Sequence, residues 1–136
     1  MAEICELLID KLGIKEEVDV PRYLDSVDPT DRIRALTEIA ALRLMQYFDR
    51  AVNHLLSDCS DDVRQRAAWA LDNLNDPRAI PSLLRAINDP SWGVRSGAGW
   101  ALVYLGDAAR SEVERTLRET SDEDAREMAV LILQRL

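Results

Sequence analysis

Apolar side chains in the second half of the chain recur with the period of an α-helix. The clearest stripe consists of Val94, Ala98, Ala101, Leu102 and Leu105. Its spacing of i, i+4, i+7, i+8 and i+11 places all five side chains on one side of a helix. No stretch of the sequence alternates between apolar and polar residues as a half-buried strand does. The pattern therefore predicts an all-helical protein.

Turn-forming residues divide the sequence into short helical segments. The spacing predicts an N-terminal helix over residues 2–12, ending at Gly13, and leaves residues 14–19 as a short linker or a frayed helix. Four helix pairs are predicted to follow, at 20–27 with 31–43, 47–57 with 61–74, 79–88 with 92–105, and 109–119 with 123–135.

The helical pattern itself repeats every 31 residues. The dipeptides Val63-Arg64, Val94-Arg95 and Ala125-Arg126 stand at the same point of three successive units, and the surrounding apolar residues keep the same spacing. A more divergent first unit is indicated by Ile33-Arg34, 30 residues before Val63-Arg64. A fixed period of this size is typical of stacked repeat units.

The two-helix unit resembles the HEAT repeat. The resemblance lies mainly in residues 58–108, where Asp-Asp-Val-Arg opens the second helix, Ala-Leu follows, and Asp-Pro forms the next turn. It is strongest to the short bacterial repeats first noted in phycobilin lyases. The resemblance implies an all-α, right-handed α-solenoid of about four HEAT-like helix pairs plus an N-terminal capping helix. It also implies that the Val-Arg helices line the concave side.

A single domain over residues 1–136 is predicted, with 47% apolar residues to fill its core. The cap is expected at about 1–19, and the repeats at about 20–44, 45–75, 76–106 and 107–136.

The arginine of each Val-Arg or Ala-Arg dipeptide occupies a position fixed by the repeat. We expect Arg64, Arg95 and Arg126 to pair with an aspartate of a neighbouring turn, such as Asp58 or Asp89. The resemblance points the same way, because HEAT repeats commonly contain this pair. Recognition of a charged ligand is the alternative role.

The chain is acidic, with a formal net charge of −8 and a pI of about 4.6. This balance argues against general binding of nucleic acid or anionic membranes, although a local basic groove stays open. No apolar run approaches the ~20 residues of a membrane span. Cys5 and Cys59 do not form a disulfide framework, and no secretory leader precedes them, which favours a cytoplasmic protein.

The sequence contains no recognisable catalytic constellation. His54 is the only histidine and is expected on a solvated helix face, so a histidine-based metal site is not predicted. The carboxylates sit at turns and helix starts, where they cap helices. No glycine-rich phosphate loop or nucleophile elbow is present. We therefore expect no enzymatic activity, no metal and no cofactor.

The faces of the Val-Arg helices opposite their core stripe are candidates for binding a partner. A rotation of about 100° per residue from Val94 places Trp100 there, and the repeat aligns it with Ile39, Trp69 and Leu131. The predicted binding residues are Ile39, Asp62, Arg66, Trp69, Asn73, Trp92, Gly93, Ser96, Gly97, Trp100, Tyr104, Met128 and Leu131. The two glycines are expected to leave room for a partner's backbone. Alternatively, the indoles fill the seams between repeats.

These features favour a non-enzymatic scaffold that binds a protein or peptide in its concave groove. The resemblance offers two alternatives, a phycobilin lyase-like component that handles tetrapyrroles and, less favoured by the acidic composition, a HEAT-like DNA glycosylase. A homo-oligomer through the C-terminal helix is also considered, because that helix contains the apolar run Met128, Leu131, Ile132 and Leu133.

Overall fold

The computed structural model describes residues 19–136, which form a stack of helices. In this part of the chain the α-helices are α1 (Asp19–Leu24), α2 (Pro29–Leu42), α3 (Phe48–Ser57), α4 (Asp61–Leu74), α5 (Ile80–Ala86), α6 (Trp92–Leu105), α7 (Asp107–Glu119) and α8 (Glu123–Arg135). Short 3-10 turns, Met45–Tyr47 and Pro77–Ala79, lead directly into α3 and α5. The predicted N-terminal helix at residues 2–12, with Cys5, lies outside the described residues.

The helices are arranged as pairs in two layers. Each first helix (α1, α3, α5, α7) packs on the second helix that follows it, and the second helices α2, α4, α6 and α8 pack side by side in chain order. The ends of the four pairs agree with the sequence prediction to within three residues. The predicted all-α solenoid is therefore confirmed.

Side-chain caps begin several second helices as the sequence pattern indicated. Asp28, Ser60 and Asp122 precede α2, α4 and α8, and their side chains accept hydrogen bonds from the backbone N–H of Thr30, Val63 and Ala125. Between α6 and α7, Gly106 has a φ of 65°, a conformation that glycine adopts without strain. The chain can therefore reverse there without a linker.

The core lies between the two layers and is lined by small side chains on the second helices. Ala67, Ala98 and Ala129 are fully buried at equivalent positions of three successive units. A methyl group at each of these positions lets the first helix of the pair approach closely, while larger residues such as Leu71 and Leu102 fill the remaining space. The 31-residue period thus reproduces the same packing in each unit.

Arginine–aspartate pairs connect consecutive units. Arg64 Nε lies 2.9 Å from Asp89 Oδ2 and its Nη2 lies 3.3 Å from Asp89 Oδ1. Arg32 binds Asp58 in the same bidentate way, at 2.9 Å and 3.0 Å. In both pairs the arginine Nη1 also donates to the backbone carbonyl six residues earlier, that of Asp58 for Arg64. The predicted pairing with an aspartate of a neighbouring turn is confirmed for Arg64. It is wrong for Arg95 and Arg126, which donate to the backbone carbonyls of Asp89 and Pro90 and of Thr120, respectively.

This contact pattern corrects the register of the first unit. The residue equivalent to Arg64 is Arg32, which is 32 residues earlier and nearly buried, whereas Arg34 is exposed. The similarity of Ile33-Arg34 to Val63-Arg64 therefore misaligned the first unit by two residues. The alignment had made Ile39 the equivalent of Trp69, and in the corrected register that position belongs to Thr37.

Asp58 is the centre of a polar cluster at the turn between α3 and α4. Burial alone would raise the pKa of this carboxyl group, but hydrogen bonds from Arg32, from the Ser60 N–H and from His54 outweigh that effect and lower the pKa. His54 Nδ1 lies 2.8 Å from Asp58 Oδ2, and its side chain is only 14% exposed. The expectation of a solvated histidine was wrong, because the imidazole joins this turn. Cys59 is exposed.

Candidate functional site

Two tryptophans lie on the outward side of the second-helix layer, opposite the core. We call this side, formed by α2, α4, α6 and α8, the second-helix face; the HEAT resemblance implies that it is concave. Trp69 on α4 is 39% exposed and Trp100 on α6 is 45% exposed. Leu131 on α8 is the next equivalent residue and is half-buried. The indoles therefore touch neighbouring helices and keep an accessible surface.

Arginines and a tyrosine hold these indoles on the second-helix face. The guanidinium carbon of Arg66 lies 4.9 Å from the ring centroid of Trp69, and that of Arg135 lies 5.1 Å from the ring centroid of Trp100. Trp100 also stacks on Tyr104, with ring centroids 6.0 Å apart and an interplanar angle of 28°. Such cation–π contacts contribute about 0.5–1 kcal/mol each at exposed sites, so they restrain the rings.

A cleft of about 140 Å³ opens on the second-helix face between α6 and α8. It is lined by Trp92, Ser96, Gly99, Trp100, Val103, Met128, Leu131, Ile132 and Arg135. Its surface is mainly apolar, and the indoles of Trp92 and Trp100 both contribute to it. The space is about the size of one large apolar side chain.

A second, more polar hollow lies between α2 and α4. It is lined by Ile33, Asp62, Gln65, Arg66 and Trp69. The predicted residues Asp62, Arg66 and Trp69 are therefore brought together, on the opposite side of α4 from the seam with α6. Asn73 does not line this hollow, and its Nδ2 donates to the Trp69 carbonyl oxygen at 2.9 Å.

Two predicted binding residues are buried, and their assignment to the surface is corrected. Ile39 is 0% exposed. In the corrected register the equivalent of Trp69 is Thr37, and Ile39 is the equivalent of Leu71 on α4, which is also buried in the core. Met128 is 5% exposed, because it fills the seam between α6 and α8 against Gly99. The set of equivalent apolar residues on the second-helix face therefore consists of Trp69, Trp100 and Leu131 and includes no residue of α2.

Gly93 and Gly97 of α6 face side chains of α4 and do not create space for a partner. A Cβ on Gly97 would lie 3.3 Å from Ala68 Cβ, and a Cβ on Gly93 would lie 2.4 Å from Gln65 Oε1. Both positions therefore face α4 across a tight seam. The expected room for a partner's backbone is not present there.

Several site residues escaped the sequence analysis. Val103 and Arg135 line the α6–α8 cleft, and their positions about 180° and 280° around their helices from the core stripe could have indicated this. Asp72 lies one turn after Trp69 on α4, and burial raises the pKa of its carboxyl group. This half-buried carboxyl group was not predicted, because the neighbouring units do not carry an acid at this position.

The apolar run of the C-terminal helix points mainly inward. Met128 and Ile132 are buried, and Leu131 and Leu133 are half-buried against the rest of the stack. Self-association through this helix stays a prediction, and the apolar surface left for it is that of Val130, which is 38% exposed, and the accessible parts of Leu131 and Leu133.

Within residues 19–136, no three His, Cys, Asp or Glu side chains are grouped in a way that could hold a metal ion. None of the helices described is both long and apolar enough to cross a membrane.

Comparisons with known proteins agree with this architecture. The chain is similar to a solved structure described as the complex of CpcE and CpcF of phycocyanin lyase from Nostoc sp. PCC7120, with 22% identity, a TM-score of 0.66, and coverage of 96% of this chain and 88% of that one. Curated protein sequences gave no match. The family model for HEAT repeats matches residues 48–134. Because this match spans more than half of the sequence, the chain belongs to the HEAT repeat family.

Proposed function

We propose that this HEAT repeat protein is a non-enzymatic scaffold that binds a peptide segment or partner protein on its second-helix face. The observation that carries the proposal is the pair of partly exposed indoles, Trp69 and Trp100, at equivalent positions on adjacent second helices. Each indole has an arginine guanidinium within about 5 Å of its ring. Tryptophan and arginine are the residues that most often dominate binding energy at protein interfaces.

The mechanism is burial of apolar surface on a rigid support. Trp69 and Trp100 project from helices of 14 residues that pack against each other, so a partner meets side chains whose backbone is already ordered. A preorganised surface reduces the conformational entropy lost on association. The α6–α8 cleft adds a specific pocket for one apolar side chain beside Trp100.

A lyase-like role in handling tetrapyrroles is the second candidate, and the fold similarity to a chain of the phycocyanin lyase complex favours it. The cleft of about 140 Å³ is smaller than the ~300–1,000 Å³ typical of pockets that enclose ligands of that size. A tetrapyrrole would therefore lie across the open face rather than inside the cleft. Mixing the protein with a free bilin tests this role, since binding changes the visible absorbance of the bilin.

The scaffold proposal is tested by the double variant Trp69→Ala with Trp100→Ala. Both rings are partly exposed, so we expect the helical circular dichroism spectrum to be retained while capture of partners from cell extract is lost. Val27→Ala is the matched control, because Val27 is almost fully exposed in the turn before α2, away from these rings. Captured proteins are quantified by mass spectrometry. Equal recoveries with the double variant and the control would reject the site.

A further inference from the structure

Arg95, the third of the four repeat arginines, lacks the aspartate that Arg32 and Arg64 bind. Position 120 is equivalent to Asp89 by the 31-residue period, and it is occupied by Thr120. Thr120 keeps the turn, because its Oγ1 accepts from the Asp122 N–H at 3.2 Å, as Asp89 Oδ1 accepts from the Ser91 N–H at 2.9 Å. The substitution therefore preserves the local backbone and removes only the carboxylate.

Arg95 is held as the other arginines are, but half of its guanidinium is unused. Its Nη1 donates to the carbonyl oxygens of Asp89 and Pro90 at 2.8 Å and 3.1 Å. Its Nε is buried and, among the residues that the structure describes, has no hydrogen-bond partner. The Nε–Nη2 edge binds a carboxylate in Arg32 and Arg64. A buried unpaired donor is costly, so this edge favours an external acceptor.

Trp92 connects the Arg95 guanidinium with the α6–α8 cleft. The guanidinium carbon of Arg95 is 5.5 Å from the ring centroid of Trp92, and the same indole lines the cleft together with Trp100. Consecutive residues of a bound segment are about 3.8 Å apart. Neighbouring side chains of an extended segment point to opposite sides, so one can enter the cleft while the next extends past the Trp92 indole toward Arg95.

We propose that the α6–α8 cleft binds a partner segment with an apolar side chain next to an aspartate or glutamate, whose carboxylate pairs with Nε and Nη2 of Arg95. The inference rests on the proposed function and specifies its ligand. The acidic side chain takes the place of the aspartate that Arg32 and Arg64 find within the chain. Because Nε is buried in the free protein, we expect binding to include movement of the exposed Trp92 indole, which lies against the guanidinium.

The test uses the peptide acetyl-Leu-Asp-Leu-amide, with acetyl-Leu-Asn-Leu-amide as the uncharged control. Binding to the full chain is followed by NMR through the Nε–Hε resonances of its arginines. We expect the aspartate peptide to shift the Arg95 resonance and to bind at least about tenfold more tightly than the asparagine peptide, as a charge-assisted bidentate contact predicts. Acetyl-leucine, a free acid, tests whether a chain terminus is recognised instead.

Thr120→Asp is the informative variant, because it supplies the missing carboxylate from within and leaves Arg95 and the cleft in place. We expect it to reduce binding of the aspartate peptide to the level of the asparagine peptide, whereas Thr120→Asn leaves that binding unchanged. Equal binding of the two peptides, no binding of either, full binding to Thr120→Asp, or a response to acetyl-leucine alone would overturn the inference. Partner capture that needs Trp69 and Trp100 but survives Thr120→Asp would preserve the proposed function while rejecting this ligand.

Discussion

The Thr120→Asp substitution is also a direct test of the energetics of the repeat. The introduced carboxylate can keep the hydrogen bond from the Asp122 N–H, because Asp58 and Asp89 make the equivalent bonds to Ser60 and Ser91. It also gives Arg95 the partner that its two equivalents have. We therefore expect the free energy of unfolding to rise, although the change adds a negative charge to an acidic chain.

The magnitude follows from the existing pair between Arg64 and Asp89, whose side chains are 15% and 11% exposed. Hydrogen bonds to charged groups contribute about 1.5–3 kcal/mol, more than the typical surface ion pair. Desolvation of the new carboxylate and repulsion from the acids that begin α8 reduce this gain, leaving about 1.5 kcal/mol. For 136 residues the unfolding entropy is about 0.29 kcal/mol/K, so Tm rises by about 5 °C.

Thermal and denaturant unfolding followed by circular dichroism measure this change, with Thr120→Asn as the control. Asparagine retains the turn but cannot form the ion pair, so only the aspartate variant should gain stability. The folded-state pKa of the new carboxyl group is expected below its unfolded value. The carboxylate then makes its full contribution to stability at pH values above the unfolded-state pKa of about 3.9, and this contribution is lost as the pH falls through the folded-state pKa. Equal stabilities of the two variants at neutral pH would refute the reasoning.

Three other outcomes are expected. Asp58→Ala should lower the free energy of unfolding, measured by denaturant titration, by about 3 kcal/mol, because it leaves the buried guanidinium of Arg32 without its carboxylate. The control is Asp25→Asn, which removes an exposed ion pair and should change the free energy of unfolding by less than about 1 kcal/mol. Because the folded-state pKa of Asp58 is lowered, wild-type stability should fall on acidification below about pH 4, and less steeply in Asp58→Ala; identical pH profiles would contradict this. Gly93→Ala should raise stability by about 0.5 kcal/mol, because the exposed Gln65 side chain can move aside and alanine favours the helix; a loss of stability would show that Gln65 is fixed.

The helix pairs could be predicted because each unit carries its own apolar stripe and its own capping residues. The positions of Ala67, Ala98 and Ala129 also followed from the period, since equivalent residues occupy equivalent places in a stack. Trp69 and Trp100 were placed opposite the core by helical rotation alone, and the structure gives both an accessible surface. Local periodicity thus determines which side of a helix is buried.

Contacts between helices were less predictable. The dipeptide Ile33-Arg34 resembled Val63-Arg64, but the residue that binds the neighbouring turn is Arg32, and the error of two residues moved Ile39 from the core to the predicted surface. Met128 was predicted to be a binding residue, and the sequence did not show that Gly99 on α6 leaves space for its side chain in the seam. Such details depend on the spacing between helices, which the identities of residues on one helix do not determine.

The unpaired Nε of Arg95 is linked to the α6–α8 cleft by Trp92, whose indole lies against the guanidinium and also lines the cleft. In a repeat protein each unit normally repeats the structural contacts of the others. The loss of the arginine–aspartate pair at Arg95, next to a residue that lines an exposed cleft, therefore indicates that this unit is less stable than it could be because the arginine serves binding. This view makes a joint prediction for Thr120→Asp: the same variant gains stability and loses the acidic peptide. A variant that gains stability and still binds the peptide would show that the missing aspartate has no role in recognition.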